Sequence, residues 1–414
     1  MRARGGLRHR FVSSLAIAAL TATIVVAEGP AEPVGKVLML PDSPGRHWFW
    51  LSDIVLHRTA LFDGDSGALL GTITSGTPGV GFVILPLFGP ARREIYLAES
   101  YYSRGVRGER TDVVTVYDGT TLQPLDEIVI PPKRAEYFPG NAANALSDDG
   151  RFVAIFNLTP VQSLSIVDVV ARRFIAEVPT PGCSLVYAAG PRRFIMLCAD
   201  GSALVVDLDE EGRASRVERM APFFDAQKDP VTEKAVRLGG EWLFVSFGGV
   251  VHPLDTAASP PRPGETWSLF DDDDRSGSWR IGGGQHLALH APSSRLYALV
   301  HQGGPDTHKD AGTEVWVYDV ASRRRTQRIS MLSPLASFVR QQARLGQDGM
   351  AAWFLQRMLP NLGVDRIVVT QDDRPLLVAA AQLPPTVTVH DATTGAVVRE
   401  IEEVGLGSSL LTVP

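Results

Sequence analysis

Alternating apolar and polar positions recur along most of the chain and predict short β-strands. The recurring unit is an alternating run that ends in Asp, followed by three or four small or polar residues and a second run. An Asp at the end of a strand accepts hydrogen bonds from backbone N–H groups two residues on, and a Gly such as Gly67 or Gly395 closes the loop with a positive φ. Each unit is therefore a β-hairpin.

The hairpin occurs seven times, and this repetition determines the predicted fold. Its aspartates lie 39 to 72 residues apart and are Asp63, Asp118, Asp168, Asp207, Asp255, Asp319 and Asp391. A further strand with its own turn precedes several copies, as in residues 147–157 and 371–381, so each repeat contains about four antiparallel strands. We predict an all-β fold, a seven-bladed β-propeller with four-stranded antiparallel blades. An array of β-sandwiches is the structural alternative.

The two ends of the chain are expected to share one blade. Residues 28–62 and 392–414 lie outside the seven spacings and together supply about one more blade length. A blade that contains strands from both ends would close the ring.

Residues 333–360 break the β pattern and are helical in period. A serine followed by proline can begin a first helix, and Gly346 would end it. Asp348 could cap a second helix that Pro360 ends. We therefore predict a helical hairpin inserted in a blade, whose apolar sides either pack on the propeller or form a docking surface for a partner.

The first residues have the layout of a secretory signal peptide. Arginines at positions 2, 4, 8 and 10 precede an apolar run from Phe11 to Ala27 that ends in a small residue. An uncleaved membrane anchor is the alternative, but the apolar core is shorter than the ~20 residues needed to span a bilayer. We expect cleavage after Ala27, which leaves residues 28–414 as one propeller domain with no membrane span.

Charge and composition narrow the classes of partner. The chain is 44% hydrophobic and 21% charged, as in ordinary folded proteins. Removal of residues 1–27 takes away four arginines and no acid, so the formal net charge of −6 becomes −10. This balance argues against a nucleic-acid partner, because phosphate binding needs a basic face.

Cys183 and Cys198 are the chain's two cysteines. Export would place them in an oxidising compartment. They lie fifteen residues apart in strand-like stretches, so we predict one disulfide across adjacent strands. A metal-binding or nucleophilic role is the alternative, and nothing around either cysteine supports it.

The sequence shows no catalytic motif: it contains no G-x-S-x-G elbow, P-loop, H-E-x-x-H or Cys-rich metal motif. The run Asp271–Asp274 lacks the spacing of a calcium loop and is expected to be a solvated loop. His286 and His290 share one face of a strand, and His301 and His308 flank a loop, so a propeller channel could gather them. No carboxylate or Cys lies at ligand spacing, so we assign no catalytic, cofactor-binding or metal-binding residue.

Several stretches resemble the heavy (large) subunits of amine dehydrogenases, the family of methylamine and aralkylamine dehydrogenases. One is Ser-Arg-x-x-Arg-Gly-Glu-Arg-Thr-Asp at residues 103–112; others surround the two cysteines, residues 279–309 and residues 371–395. The resemblance covers roughly residues 36–414, except the insertion at 333–362. By this resemblance, the first stretch presents a surface that contains Arg104, Arg107, Glu109, Arg110 and Asp112.

The resemblance implies a large, cofactor-free subunit of a periplasmic quinone-dependent amine dehydrogenase, a heterotetramer of two large and two small subunits. In that family the small subunit carries tryptophan tryptophylquinone, a primary amine is oxidised to aldehyde and ammonia, and a blue copper protein takes the electrons. The large subunit supplies a scaffold and a docking surface, so this chain alone is expected to be inactive.

One departure from the family sequence and two alternative functions limit what the resemblance implies for this chain. The region after Asp53 is shorter than in methylamine dehydrogenase, so no substrate-channel residue is assigned. The chain could instead be a stand-alone propeller that binds a ligand. It could also be a lactonase-like propeller hydrolase, which would need a metal in its channel.

Overall fold

The predicted hairpins are present as the outer half of each blade. The computed structural model describes residues 39–76, 85–89, 93–137, 141–332, 363–382 and 385–414. Within these residues thirty strands form seven antiparallel sheets, the blades of a β-propeller. The predicted class, blade number and strand pairing are therefore confirmed. The predicted signal peptide (1–27) and the predicted helical insertion (333–360) lie outside the described residues.

The strands of each blade are lettered A to D from the inside outward. Blade 1 contains β1 (Trp48–Asp53), β2 (Arg58–Asp63), β3 (Leu69–Thr74) and, as strand A, β30 (Ser408–Thr412). Blade 2 contains β4 (Leu87–Phe88), β5 (Glu94–Tyr102), β6 (Arg110–Asp118) and β7 (Pro124–Ile130). Blade 3 contains β8 (Asn144–Leu146), β9 (Phe152–Asn157), β10 (Ser163–Asp168) and β11 (Arg173–Pro179). Blade 4 contains β12 (Cys183–Gly190), β13 (Arg193–Cys198), β14 (Ala203–Leu208) and β15 (Ala214–Arg219).

In blades 5 and 6 one strand position is divided in two. Blade 5 contains β16 (Val236–Leu238), β17 (Glu241–Val245), β18 (Val250–Asp255) and a D position shared by β19 (Arg262–Pro263) and β20 (Trp267–Ser268). In blade 6, β21 (Trp279–Ile281) and β22 (Leu287–His290) share position A beside β23 (Arg295–Gln302), β24 (Glu314–Asp319) and β25 (Arg324–Ser330). Blade 7, which is undivided, contains β26 (Arg366–Val369), β27 (Leu376–Ala381), β28 (Thr386–Asp391) and β29 (Val397–Ile401).

The hydrophobic core lies between the blades. Strands A of successive blades contact one another, as in β8 with β12 and β26 with β30. Middle strands such as β9 and β10 are buried along their whole length, whereas the outer strand β15 is exposed along its whole length. Each blade therefore packs both of its faces against its neighbours and exposes its outer edge.

The seven aspartates lie at or next to the end of strand C in every blade. In blade 2, Asp118 Oδ1 accepts the N–H groups of Thr120 and Thr121 at 2.9 and 2.7 Å. Asp168 and Asp391 accept from the corresponding positions of blades 3 and 7. The turn chemistry predicted from the sequence is therefore correct in these blades. In blade 4 it is wrong for Asp207, whose carboxylate accepts from Arg193, while Asp209 accepts the N–H groups of the turn.

The prediction of a solvated loop at Asp271–Asp274 is wrong, because residues Asp272–Ser276 form a short helix, α1. The carboxylate of Asp271 accepts the N–H of Asp274, and the carboxylate of Asp274 accepts the N–H of Asp271. This reciprocal capping box and the acidic first turn both stabilise a helix N-terminus. A single 3₁₀ turn, Ala291–Ser293, is the other helical element of the described residues. No helix in these ranges is long and apolar enough to cross a membrane.

The ring closes in blade 1, as predicted, because β30 pairs antiparallel with β1. A second contact holds β30 from inside the ring. The buried side chain of Gln285 donates to Leu411 O at 2.8 Å and accepts from Leu411 N at 2.9 Å. The last strand is therefore bonded to the first blade through its main chain and to blade 6 through Gln285.

The predicted disulfide is confirmed between Cys183 and Cys198. The two cysteines lie opposite each other on the neighbouring strands β12 and β13, and both are buried. The bond therefore joins strands A and B of blade 4.

Replacement of Cys183 by Ser should lower the free energy of unfolding by about 3 kcal/mol, because the bond joins residues 15 positions apart and restricts the unfolded chain. Chemical denaturation under oxidising conditions measures the loss. Reduction of the unsubstituted protein provides the control and should lower its stability to that of Cys183→Ser. Equal stability of the two oxidised proteins would show that the bond does not constrain the unfolded state.

Candidate functional site

The loops of the ring divide between two sides. The loops from strand B to strand C and the connections from strand D to the next strand A lie on one side, which we call the B–C face. The aspartate turns lie on the opposite side, because antiparallel strands reverse direction at each turn. An extended hairpin of blade 2 and a group of exposed apolar side chains lie on the B–C face of blades 1 to 3.

The hairpin of blade 2 projects from this face. Counted from the aspartate turn, β5 and β6 pair over nine positions, from Glu94 to Tyr102. The corresponding hairpins of blades 1 and 3 pair over six positions. Three additional residues extend a strand by roughly 10 Å, so the blade 2 hairpin stands above its neighbours.

The end of this hairpin carries the first part of the family motif. Arg104, Arg107 and Glu109 are all exposed. Ser103 N donates to Glu109 O and Arg104 N donates to Arg107 O, so the loop is closed by its own backbone. Gly108 has φ +103°, and a Cβ there would lie 2.5 Å from Ser103 Oγ, so the turn requires glycine. We call residues 103–109 the hairpin tip.

The second part of the motif is buried at the base of the tip. Arg110 Nε and Nη2 each donate to the Asp112 carboxylate at 2.7 Å, and Arg110 Nη1 donates to Glu136 at 2.8 Å. Tyr102 Oη donates to Glu136 at 3.0 Å, and Ser100 Oγ donates to Asp112 at 2.8 Å. Asp112 is fully buried. The structure therefore divides the five motif residues between a surface group and a buried network.

The network compensates the charges that it buries. Burial lowers the pKa of Arg110, but the hydrogen bonds and charge of Asp112 outweigh this effect and raise the pKa above its ordinary value. A guanidinium bonded on two sides by carboxylates is fixed in orientation. The strands beneath the hairpin tip are thus held rigid, and Glu136 ties them to the connection that leads to blade 3.

The same face exposes an apolar band. Fifteen large apolar side chains are exposed among the described residues, and seven of them lie in the B–C face loops of blades 1 to 3. These seven are Val55, Leu56, Val106, Tyr137, Leu158, Val161 and Leu406. Tyr137 is 71% exposed. Backbone bonds from Leu158 to Lys133 and from Ile54 to Gly407 join neighbouring loops of the band. Concentrated exposed apolar side chains mark interaction surfaces.

The histidines noted in the sequence have separate hydrogen-bonding or stacking partners. His286 Nε2 lies 3.0 Å from Thr232 Oγ1, and burial lowers the pKa of His286 to about 3. His290 is bonded to Ser293 Oγ and Asp372 O. Elsewhere, His301 Nε2 lies 2.9 Å from Thr307 Oγ1, and the His308 ring stacks on Phe247 at 3.8 Å. In the part of the chain that the structure describes, no group of three His, Cys, Asp or Glu residues could hold a metal.

Comparison with known proteins points to one family. Residues 53–345 match the family model of the methylamine dehydrogenase heavy chain. The methylamine dehydrogenase heavy chain of Paracoccus versutus is 27% identical over 356 residues, which cover 85% of this chain and 75% of that one. The corresponding chain of Methylophilus methylotrophus is 24% identical and covers 97% of this chain and 92% of its own length.

Solved structures agree on the fold. A dihydro-heme d1 dehydrogenase matches with a TM-score of 0.52 and 17% identity, over 94% of this chain and 78% of that one. A periplasmic gluconolactonase of Pseudomonas aeruginosa matches with a TM-score of 0.54 and 15% identity, over 88% of this chain and 98% of its own length. At these identities the likeness extends to the propeller alone.

Proposed function

Since this chain belongs to the methylamine dehydrogenase heavy chain family, we propose that it is the large subunit of a periplasmic, quinone-dependent amine dehydrogenase. The complex would oxidise primary amines to aldehyde and ammonia and pass the electrons to a blue copper protein. Its quinone, tryptophan tryptophylquinone, would be carried by a small subunit in a heterotetramer. This chain would contribute the scaffold and a docking surface.

The apolar band on the B–C face is the observation that supports a docking role. The rest of the described B–C face, on blades 4 to 7 apart from the loop that carries Leu406, holds no comparable concentration of exposed large apolar side chains. Interfaces are enriched in aromatic residues and arginine, and Tyr137, Arg104 and Arg107 lie in or beside the band. We infer that the small subunit docks on the hairpin tip and the apolar band.

The rigidity of the hairpin tip has a function in this proposal. Association costs free energy when loops must be ordered, so a pre-organised surface binds more tightly than a mobile one. The tip is closed by its own backbone bonds and anchored by the network of Arg110, Asp112 and Glu136. It can therefore present Val106 to a partner at little entropic cost.

Co-expression with a quinone-bearing small subunit tests the proposal. We expect the two chains to purify together in equal amounts and to oxidise primary amines, and we expect this chain alone to show no such activity. Val106→Asp should weaken association about tenfold or more, because it places a charge at the centre of an apolar contact.

Val397→Asp provides the matched control. Val397 is 61% exposed and Val106 is 62% exposed, but Val397 lies on the outer edge strand β29. The Val397→Asp variant should therefore associate normally. Amine oxidation by the isolated large chain would overturn the assignment. Equal weakening by both substitutions would place the partner elsewhere, and no association with any small subunit would favour a stand-alone binding propeller.

A further inference from the structure

The middle of the hairpin tip is open to solvent. Gly105 has φ +68°, and a Cβ there would meet no described atom within 4 Å beyond its chain neighbours. Arg104, Val106 and Arg107 are all exposed. Arg104 N donates to Arg107 O at 2.9 Å, so both arginines belong to one tight turn, with Val106 between them in the chain. A partner that covers Val106 therefore lies within reach of both guanidinium groups.

Among the described residues, neither arginine of the tip is ion-paired. The ion pairs close to the tip are those of Arg110 with Asp112 and Glu136, and that of Lys133 with Glu177. They lie at the base of the tip and in the connection to blade 3, and they use the carboxylates found there. The guanidinium groups of the tip are therefore hydrated in the free chain and remain available to a partner.

The charge of the tip is opposite in sign to that of the whole chain. The chain has a formal net charge of −6 at pH 7. Residues 103–109 contain Arg104, Arg107 and Glu109, so two positive charges and one negative charge give the tip a net charge of +1. The neighbouring B–C loop of blade 3, residues 158–162, contains no charged residue. The outermost part of this face is thus basic on an acidic protein.

Docking removes water from the guanidinium groups, and this determines which groups the partner must supply. A polar group that loses water without gaining a hydrogen bond costs free energy, and a charged group costs more. A carboxylate accepts two parallel hydrogen bonds from a guanidinium and compensates its charge. A backbone carbonyl accepts a hydrogen bond but leaves the charge uncompensated. Carboxylates are therefore the groups that fit Arg104 and Arg107 best.

We infer that the small subunit presents an acidic surface to the hairpin tip, where its carboxylates bind Arg104 and Arg107 beside an apolar contact with Val106. This inference rests on the proposed function, which supplies the partner. Opposite charges accelerate the encounter between the two chains at low ionic strength. The bonded pairs also fix the relative orientation of the docked surfaces.

The salt dependence of the assembled complex tests the inference. The purified complex is diluted at about 20 mM and at about 500 mM sodium chloride, between which the Debye length falls from roughly 20 Å to roughly 4 Å. Mass photometry measures the dissociation constant, which should rise about tenfold. Replacement of both arginines (Arg104→Gln with Arg107→Gln) should weaken association about tenfold at low salt and remove most of the salt dependence.

Arg213→Gln with Arg324→Gln is the matched control. Arg213 and Arg324 are also exposed, and they lie at the C–D turns of blades 4 and 6, on the opposite side of the ring. Neither is ion-paired within the described ranges, and the control loses the same net charge as the tip variant. Its complex should therefore keep the dissociation constant and the salt dependence of the unsubstituted complex.

Carbodiimide cross-linking identifies the partner's groups. Arg104→Lys and Arg107→Lys each place an amine at the tip. The carbodiimide condenses an amine with a carboxylate that touches it, forming an amide bond while the reagent takes up the water as a urea. Mass spectrometry of the cross-linked complex should find the introduced amine joined to an Asp or Glu of the small subunit. Arg213→Lys should give no such product.

Three results would contradict the inference. Equal dissociation constants for the two double variants, or no cross-link from the tip, would overturn it while an active complex still supported the proposed function. Absence of any complex with a small subunit would overturn both. Binding of the isolated chain to phosphatidylglycerol vesicles that Arg104→Gln with Arg107→Gln abolishes, with association of the subunits unchanged, would assign the tip to an anionic membrane surface.

Discussion

Asp112→Ala should lower the free energy of unfolding by about 3–5 kcal/mol, which is the usual cost of removing one partner from a buried ion pair. The substitution leaves Arg110 with donors that face a cavity, and it also removes the acceptor of Ser100 Oγ and of Arg134 N. Glu136 still accepts from Arg110, so the guanidinium keeps one of its two carboxylates. Urea denaturation at neutral pH measures the loss.

Two further variants separate charge from shape. Asp112→Asn keeps an acceptor oxygen at the same place and removes the charge, so its stability should lie between those of Asp112→Ala and the unsubstituted protein. Asp373→Ala removes a carboxylate from an exposed pair with Arg46, and it should cost less than about 1 kcal/mol. A loss below this value for Asp112→Ala would mean that the base of the hairpin tip is relaxed and does not pre-organise the surface above it.

The fold could be predicted from the sequence because its repeating hairpin is stabilised by contacts between residues that are close in the chain. Asp118 is bonded to Thr120 and Thr121, within three residues, so residue type and spacing carry the information. The cysteine pair was predictable for a similar reason, because strands joined by one short turn are neighbours. The run Asp271–Asp274 shows the limit of this reasoning. Its composition indicated a solvated loop, and the reciprocal hydrogen bonds of Asp271 and Asp274 determined a helix instead.

The candidate site could be predicted from the sequence only in part. The motif at residues 103–112 contains Arg110 and Asp112, but their partner Glu136 lies 26 residues from Arg110. No local pattern marks Glu136 as a neighbour of Arg110, since their proximity depends on how the connection to blade 3 packs against blade 2. The apolar band also depends on the folded structure, because it combines seven residues from five separate loops.

Asp53 bonds the B–C loop of blade 1 to the loop that leads into the last strand, β30, on the same B–C face. It is 1% exposed. Oδ1 accepts the N–H groups of Val55 and Leu56, each at 2.8 Å, and Oδ2 accepts those of Leu406 and Gly407 at 2.6 and 3.2 Å. A Cβ at Gly405 would lie 2.1 Å from Asp53 Oδ2, so glycine is needed there. One carboxylate thereby joins two loops of the apolar band that are more than 340 residues apart in the chain.

The pH dependence of this contact has a definite sign. Burial raises the pKa of Asp53, but the four backbone N–H groups outweigh it and hold the pKa below its ordinary value. A carboxyl whose folded-state pKa is depressed contributes stability above its unfolded pKa, about 4. This contribution is lost as the pH falls through the folded-state value. The contact should therefore be at full strength at neutral pH and should weaken in acid.

Asp53→Ala should lower the free energy of unfolding by about 4 kcal/mol at pH 7, because four N–H groups lose one shared acceptor and water can replace it at only some of them. Asp53→Asn keeps one acceptor oxygen and should lose less. The difference between the unsubstituted protein and Asp53→Asn should shrink steadily below about pH 4, as measured by urea denaturation at a series of pH values. A difference that stayed constant across that range would mean that folding does not lower the pKa of Asp53, and ring closure would then depend on β30 pairing and Gln285 instead.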